Sequence, residues 1–239
     1  MGYLAFIFDP TYWLYIAPAI LLALWAQFKV KSAYSQTSRY AARSGLSGAE
    51  AAQRILNVHG IVDVAIEPVR SFLGDHYDPR HRVLRLSPDV YHGRSLASLG
   101  IAAHEVGHAI QHADGYAPLA LRSALVPMAS VGSNLAVLLI ILGFVLGGMQ
   151  AALGQPVALI GLGLFGVVVL FQIVNLPVEF NASTRARQIL LTNGMITAEE
   201  DPMVGKVLNA AAMTYVAATL TAVMQLIYWA SLVMGRRDD

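Results

Sequence analysis

The sequence predicts an α-helical polytopic membrane protein that carries one small α+β segment between its first two crossings. Three observations predict it. Hydrophobic residues make up 56% of the 239-residue chain and charged residues only 13%, about half the roughly 25% of ordinary soluble domains. Mean hydropathy is +0.55. The charges that do occur are segregated, so that long charge-free runs alternate with polar stretches. So little charge cannot cover the surface of a soluble protein of this size, and the high hydrophobicity excludes intrinsic disorder. With a net charge of +1 there is no electrostatic argument for a nucleic-acid partner. The expected surroundings are a lipid bilayer. The absence of cysteine rules out disulfides, thiolate metal sites and a cysteine nucleophile.

The charge-free runs place the crossings. Residues 10–28 form the first, 19 residues without a charge, close to the roughly 20 that a 30 Å hydrocarbon core requires. Pro18 lies inside it, and Tyr12, Trp13 and Trp25 sit near its ends, where amphipathic rings favour the interface. The start lacks the basic residues and small-residue cleavage site of a signal peptide, so this stretch is expected to stay. Residues 123–178 are 56 uncharged positions, enough for two crossings. A turn is marked by Gly147, Gly148, Gly154 and Pro156. Spans are expected near 127–148 and 156–176. A last uncharged run covers 207–235. The expected organisation is an N-terminal membrane helix (1–30), a polar segment (31–126), a helical hairpin (127–176), a second polar helix (177–209) and a C-terminal membrane helix with its tail (210–239).

Residues 29–122 hold 11 of the 16 basic residues, so the positive-inside rule puts them in the cytoplasm of a multi-pass cell-membrane protein. Two crossings return the chain to the side it left, which places 177–209 in the same compartment. A full fourth span would carry Arg236 and Arg237 outside, so a re-entrant or interfacial last helix is the alternative.

Within the polar segment, Ser47 and Glu50 have the spacing of a capping box opening a helix that Gly60 can close. VDVAIEPV and RVLRLS read as strands separated by the turn-rich LGDHYDPRH. RVLRLS could be a sheet edge that pairs extended substrate backbone, or plain core. A second helix follows, SLASLGIAAHEVGHAIQHADG.

That helix holds His104-Glu105-Val106-Gly107-His108, an H-E-x-x-H. Positions i and i+4 share a helix face, so both imidazoles can reach one zinc ion at about 2.0–2.1 Å. Glu105 lies about 100° round the helix, beside the metal, where it can act as general base on a zinc-bound water. Gly107 weakens a helix by about 1 kcal/mol relative to Ala, and a close backbone neighbour would explain it. Three residues compete as third ligand. His112 lies about 12 Å along the axis from His104, too far on a straight helix. Asp114 would need a sharp turn with glycine at 111, where this chain has Gln111. Glu179 stands just beyond the third span on the same side of the membrane. A carboxylate there is costly unless paired, either with a metal or with Arg185 or Arg187. Glu179 is the expected ligand, which makes the polar segment zincin-like.

The stretches YDPRHRVLRLSPDVYHGRSL, AAHEVGHAIQHADGYAPLALRS, LPVEFNAS and VLNAAAMTYVAA resemble the YugP-like family of bacterial membrane neutral zinc metallopeptidases. More distantly, the order of span, HExxH, hairpin and downstream glutamate resembles the HtpX-type membrane proteases. Those carry E-x-x-A-D, where this chain has Glu179-Phe-Asn-Ala182-Ser183. The resemblance implies a zinc-dependent endopeptidase with His104, His108 and Glu179 as ligands and Glu105 as general base. Asn181 or Ser183 could accept the far nitrogen of a ligating histidine. Substrates would be proteins or peptides, membrane-associated or unfolded, and a role in membrane protein quality control would follow. The alternative is a non-catalytic scaffold stabilised by zinc. Tyr215 could donate to the oxyanion or serve as an interfacial belt residue. His76, His81 and His92 read as solvated loop histidines or a second metal site. Oligomeric state is not legible.

Overall fold

The computed structural model describes residues 10–69, 74–146 and 152–235. Its elements are α1 (Pro10–Thr37), α2 (Gly48–Val58), β1 (Ala65–Pro68), β2 (His76–Asp78), β3 (Val83–Leu86), α3 (Pro88–Tyr91), α4 (Leu96–Ala113), α5 (Ala117–Val145), α6 (Gly154–Thr192) and α7 (Asp201–Met234). The protein is therefore mostly helical, with one small sheet. Among the described residues four helices, α1, α5, α6 and α7, are long and apolar enough to cross a membrane. Each extends into charged sequence beside the charge-free run that announced it. With 39 residues, α6 is about 58 Å long, nearly twice a hydrocarbon core, and it continues well past Glu179. The expected turn residues Gly147 and Gly148, and Arg236 and Arg237, lie outside the described residues. Over its 34 residues α7 is unbroken, without the interruption a re-entrant segment requires.

The chain divides into two compact units. One draws on the described residues of Met1–Trp25, Leu121–Asn175 and Tyr215–Asp239. Within it α5 and α6 approach at small residues. A Cβ on Gly161 would lie 2.7 Å from the carbonyl oxygen of Ala136, and one on Gly143 2.6 Å from that of Gly154. Lipid tails are as apolar as leucine, so close packing rather than hydrophobicity holds such helices together. Tyr228, Trp229 and Ile140 form a buried cluster there, with the Tyr12 ring edge-on to Tyr228 at 5.0 Å.

The other unit comprises Ala26–Ala120 and Leu176–Thr214. The capping box of α2 forms as its spacing requires, with Ser47 Oγ accepting from the Glu50 N–H and the Ser47 N–H donating to Glu50 Oε2. Gly60 ends the turn beyond α2 at φ +67°, a conformation that favours glycine. The sheet order is β1-β3-β2, with β1 parallel and β2 antiparallel to β3. This decides one open alternative and corrects one expectation. RVLRLS is the central strand, buried at Val83, Leu84 and Leu86, because both of its edges are already paired. The stretch read as a turn contains β2, which forms a sheet edge and packs beside α4.

Ser95 caps α4, accepting from the Ser98 N–H at 3.1 Å. The start of α4 is also tied to the loop after α1, through Leu96 N–H to the Tyr40 carbonyl and Ala42 N–H to the Arg94 carbonyl, both 2.9 Å. Glu200 extends that anchorage by accepting from the N–H groups of Arg43 and Thr197. Along α4, Leu96, Leu99, Ala103, Val106 and Ile110 recur at helical spacing and are buried against α2, β3, α6 and α7 residues. Each fully buried leucine contributes about 1.5–3 kcal/mol.

The contact that matters most lies between α4 and α6. A Cβ on Gly107 would stand 2.9 Å from the Ala182 carbonyl oxygen and 3.2 Å from its Cα, so no larger residue fits without parting two backbones. Overpacking of this kind costs about 1–3 kcal/mol, more than the roughly 1 kcal/mol alanine returns in helix propensity. Gly107→Ala is therefore expected to lower the melting temperature of the detergent-solubilised protein. Gly163→Ala, where nothing lies within 4 Å, should leave it unchanged or raise it. Equal melting behaviour of the two variants would refute the close-approach account.

Candidate metal centre

One turn of α4 presents His104 and His108 on the face that meets α6, and Gly107, between them, lets the α6 backbone come near. Three residues before Ala182, Glu179 points back into the same space. The residue is 2% exposed, and its Oε2 lies 3.3 Å from His104 Nε2 and 3.7 Å from His108 Nε2. The two imidazole rings meet edge to face, 4.8 Å apart. One ligand atom from each of the three residues falls within 4.8 Å of the others. Four tetrahedral ligands at about 2.0–2.1 Å from zinc stand about 3.3 Å apart, and the two nitrogen–oxygen separations of 3.3 and 3.7 Å are close to that. The donor set, two imidazoles and a carboxylate, also suits zinc. Among the described residues this is the group that could hold a metal ion.

The surroundings orient the donors. Ser183 Oγ lies 3.1 Å from His104 Nδ1, and Gln111 Oε1 lies 3.0 Å from His108 Nδ1. Burial works against the charged form of His108, yet the carboxylates of Glu179 and Glu105 outweigh it and raise its pKa. Protons and metal ions therefore compete for this imidazole. Glu105, also buried, accepts the main-chain N–H of Tyr77 at Oε2, 3.1 Å away. That N–H belongs to β2, whose end is locked by Asp78. The hydrogen bond from His81, joined by Arg85 and two main-chain N–H groups, outweighs burial and holds the Asp78 carboxyl well below the usual carboxylate range.

The rival ligands fall outside this group and have other partners. His112 Nδ1 lies 2.8 Å from the Tyr77 hydroxyl, and Asp114 pairs with Arg185 at 2.5 Å. Arg187, the other cation proposed for Glu179, pairs with Asp201. Of the loop histidines, His76 Nδ1 contacts the Gly74 carbonyl, His81 contacts Asp78, and His92 lies against Tyr91. Tyr215 is half-buried and belongs to the other compact unit. Gln111 and Tyr77 were not singled out from sequence. Gln111 stands three residues after His108, a spacing that makes neighbours on a helix face, and that was the signal available.

Two substitutions separate ligand from support. Glu179→Ala should abolish stoichiometric zinc binding. Ser183→Ala, which removes only the partner of His104, should weaken it about tenfold, at the low end of losses for groups behind a ligand. Zinc titration against a chromophoric chelator measures both, and undiminished zinc in Glu179→Ala would reassign the third ligand.

A family described as "Putative neutral zinc metallopeptidase" matches residues 12–234. "Putative membrane protease YugP" of Bacillus subtilis (strain 168) is 48% identical over 223 residues, 92% of this chain and 96% of the relative. No solved structure matches. Since the family match runs from the first candidate span to the last and takes in His104, His108 and Glu179, the chain belongs to this family of neutral zinc metallopeptidases.

Proposed function

We propose that the protein is a membrane-embedded zinc endopeptidase with a zincin-like centre, in which His104, His108 and Glu179 hold the metal and Glu105 is the general base. The observation that carries this reading is the convergence of two imidazole nitrogens on one buried carboxylate oxygen, at 3.3 and 3.7 Å, with Glu105 on the adjoining face of the same helix. When bound, zinc supplies a Lewis acid that polarises the scissile carbonyl and lowers the pKa of a coordinated water towards 7. Glu105 takes the proton from the attacking water and passes it to the leaving amine. The Tyr77 N–H on Oε2 fixes the carboxylate's orientation during both transfers. Tyr215 is the candidate donor to the oxyanion.

The positive-inside distribution supports a multi-pass arrangement with the site facing the cytoplasm, beside the bilayer surface. A centre in that position suits membrane-associated or unfolded polypeptides, the substrates that membrane protein quality control supplies. A zinc-stabilised scaffold would call for a closed site with four protein ligands. His112 and Asp114, the other candidates weighed, fall outside the group whose ligand atoms converge, which argues against that alternative.

The test compares wild type with Glu105→Gln for cleavage of casein in detergent with zinc. Wild type should cleave, and the variant should bind one zinc yet lose about 10²–10⁴-fold in rate. Persistent cleavage by Glu105→Gln would remove it as base, and inactivity of both zinc-loaded proteins would favour the scaffold. Tyr215→Phe should lower kcat by about 10²-fold with zinc content unchanged, the scale of losing one oxyanion donor. Full activity in that variant would return Tyr215 to an interfacial role.

A further inference from the structure

The two histidines of the site are supported by chemically different partners. Behind His104 is a serine hydroxyl, which can donate or accept and rotates to suit. Behind His108 is Gln111, fully buried, whose amide has an oxygen at one end and an N–H donor group at the other. Which end faces the histidine decides which imidazole nitrogen keeps its proton.

That orientation is determined twice. Gln111 Nε2 lies 2.9 Å from the carbonyl oxygen of Val178, a group that can only accept. It also lies 2.9 Å from Asn181 Oδ1. Asn181 cannot turn its own amide round, because the same oxygen accepts from Arg185 Nε at 2.9 Å, and a guanidinium only donates. Arg185 is in turn held by Asp114. With both N–H bonds of Gln111 committed to α6, its oxygen must face His108 Nδ1, which must therefore be the donor.

We propose that Gln111, oriented by Val178 and by an Arg185–Asn181 pair, is a positioning residue that keeps the proton of His108 on Nδ1 and its Nε2 lone pair turned to the metal. This rests on the metal-site reading given under Proposed function. The same amide spans the two elements that carry the ligands, since His108 is on α4 while Val178 and Asn181 flank Glu179 on α6. One side chain thus sets the chemical form of one ligand and the place of another.

The experiment uses the full chain in detergent and reads zinc alone, independently of any peptidase assay. Zinc dissociation constants come from competition with a chromophoric chelator, and the ring N–H protons of the zinc-loaded protein are observed by NMR. Gln111→Leu, similar in size and unable to hydrogen-bond, should weaken zinc about 10–100-fold and remove the exchange-protected His108 Nδ1–H signal. The His104 signal should persist. A role in packing alone predicts unchanged affinity and an unchanged His108 signal, and that result would overturn the proposal.

A second pair tests it even if Gln111→Leu fails to fold. Asn181→Asp keeps an acceptor for both Arg185 and Gln111 and should bind zinc as wild type does. Asn181→Leu removes one of the two bonds that orient Gln111 and should bind several-fold more weakly. Equal affinity of these two variants would overturn the relay while leaving the metal centre intact. Failure of wild type to bind zinc would overturn both, a pattern distinct from the first.

Discussion

The close approach of α4 to α6 at Gly107 and Ala182 is the constraint on which the rest depends. A carboxylate as buried as Glu179 is expensive to desolvate, and it is tolerated because two imidazoles lie within 3.7 Å of it. Those distances exist only if the two backbones come close enough for a glycine to be required. The buried apolar face of α4 sets that separation from one side, while the Gln111 bonds to Val178 and Asn181 draw α6 in from the other. The buried carboxylate, the two imidazoles and the packing that joins them are thus one cooperative arrangement.

Polar groups do a second kind of work in this unit. Small sheets and irregular connections have little hydrophobic surface with which to fix themselves, and here carboxylates replace it. Glu200 gathers main-chain N–H groups from two segments far apart in sequence, Asp75 accepts from both the N–H and the hydroxyl of Ser87, and Asp78 gathers the turn before β3. None of these carboxylates lies near the metal-capable group in sequence, yet the last two hold the strand that touches Glu105.

Much of this was legible in advance, and for identifiable reasons. Charge-free runs exposed the four long helices because a bilayer tolerates almost no charge. His104 and His108 were legible because helical periodicity makes i and i+4 neighbours whatever the fold. Glu179 emerged from topology, as a carboxylate at a membrane exit that needed a partner. Three things were not legible. A three-residue strand such as β2 has too little pattern to stand out from the turns around it, and its existence depends on pairing with β3. For the same reason the edge and core readings of RVLRLS could not be separated, because strand order is a tertiary property. The third was Gln111, whose importance comes from groups 67 and 70 residues away. Sequence spacing carries no trace of such contacts.

The bond between β2 and Glu105 has an evolutionary consequence. Its donor is the main-chain N–H of Tyr77, a group supplied by every amino acid except proline. The orientation of the carboxylate therefore depends on strand register, and the side chain at position 77 takes no part in that bond. An insertion or deletion between β2 and β3 would offer Glu105 a neighbouring residue's amide or none, even with every side chain of the metal-capable group preserved. Variation in loop length near this hairpin thus threatens the support of Glu105 in a way that a change of side chain at position 77 does not.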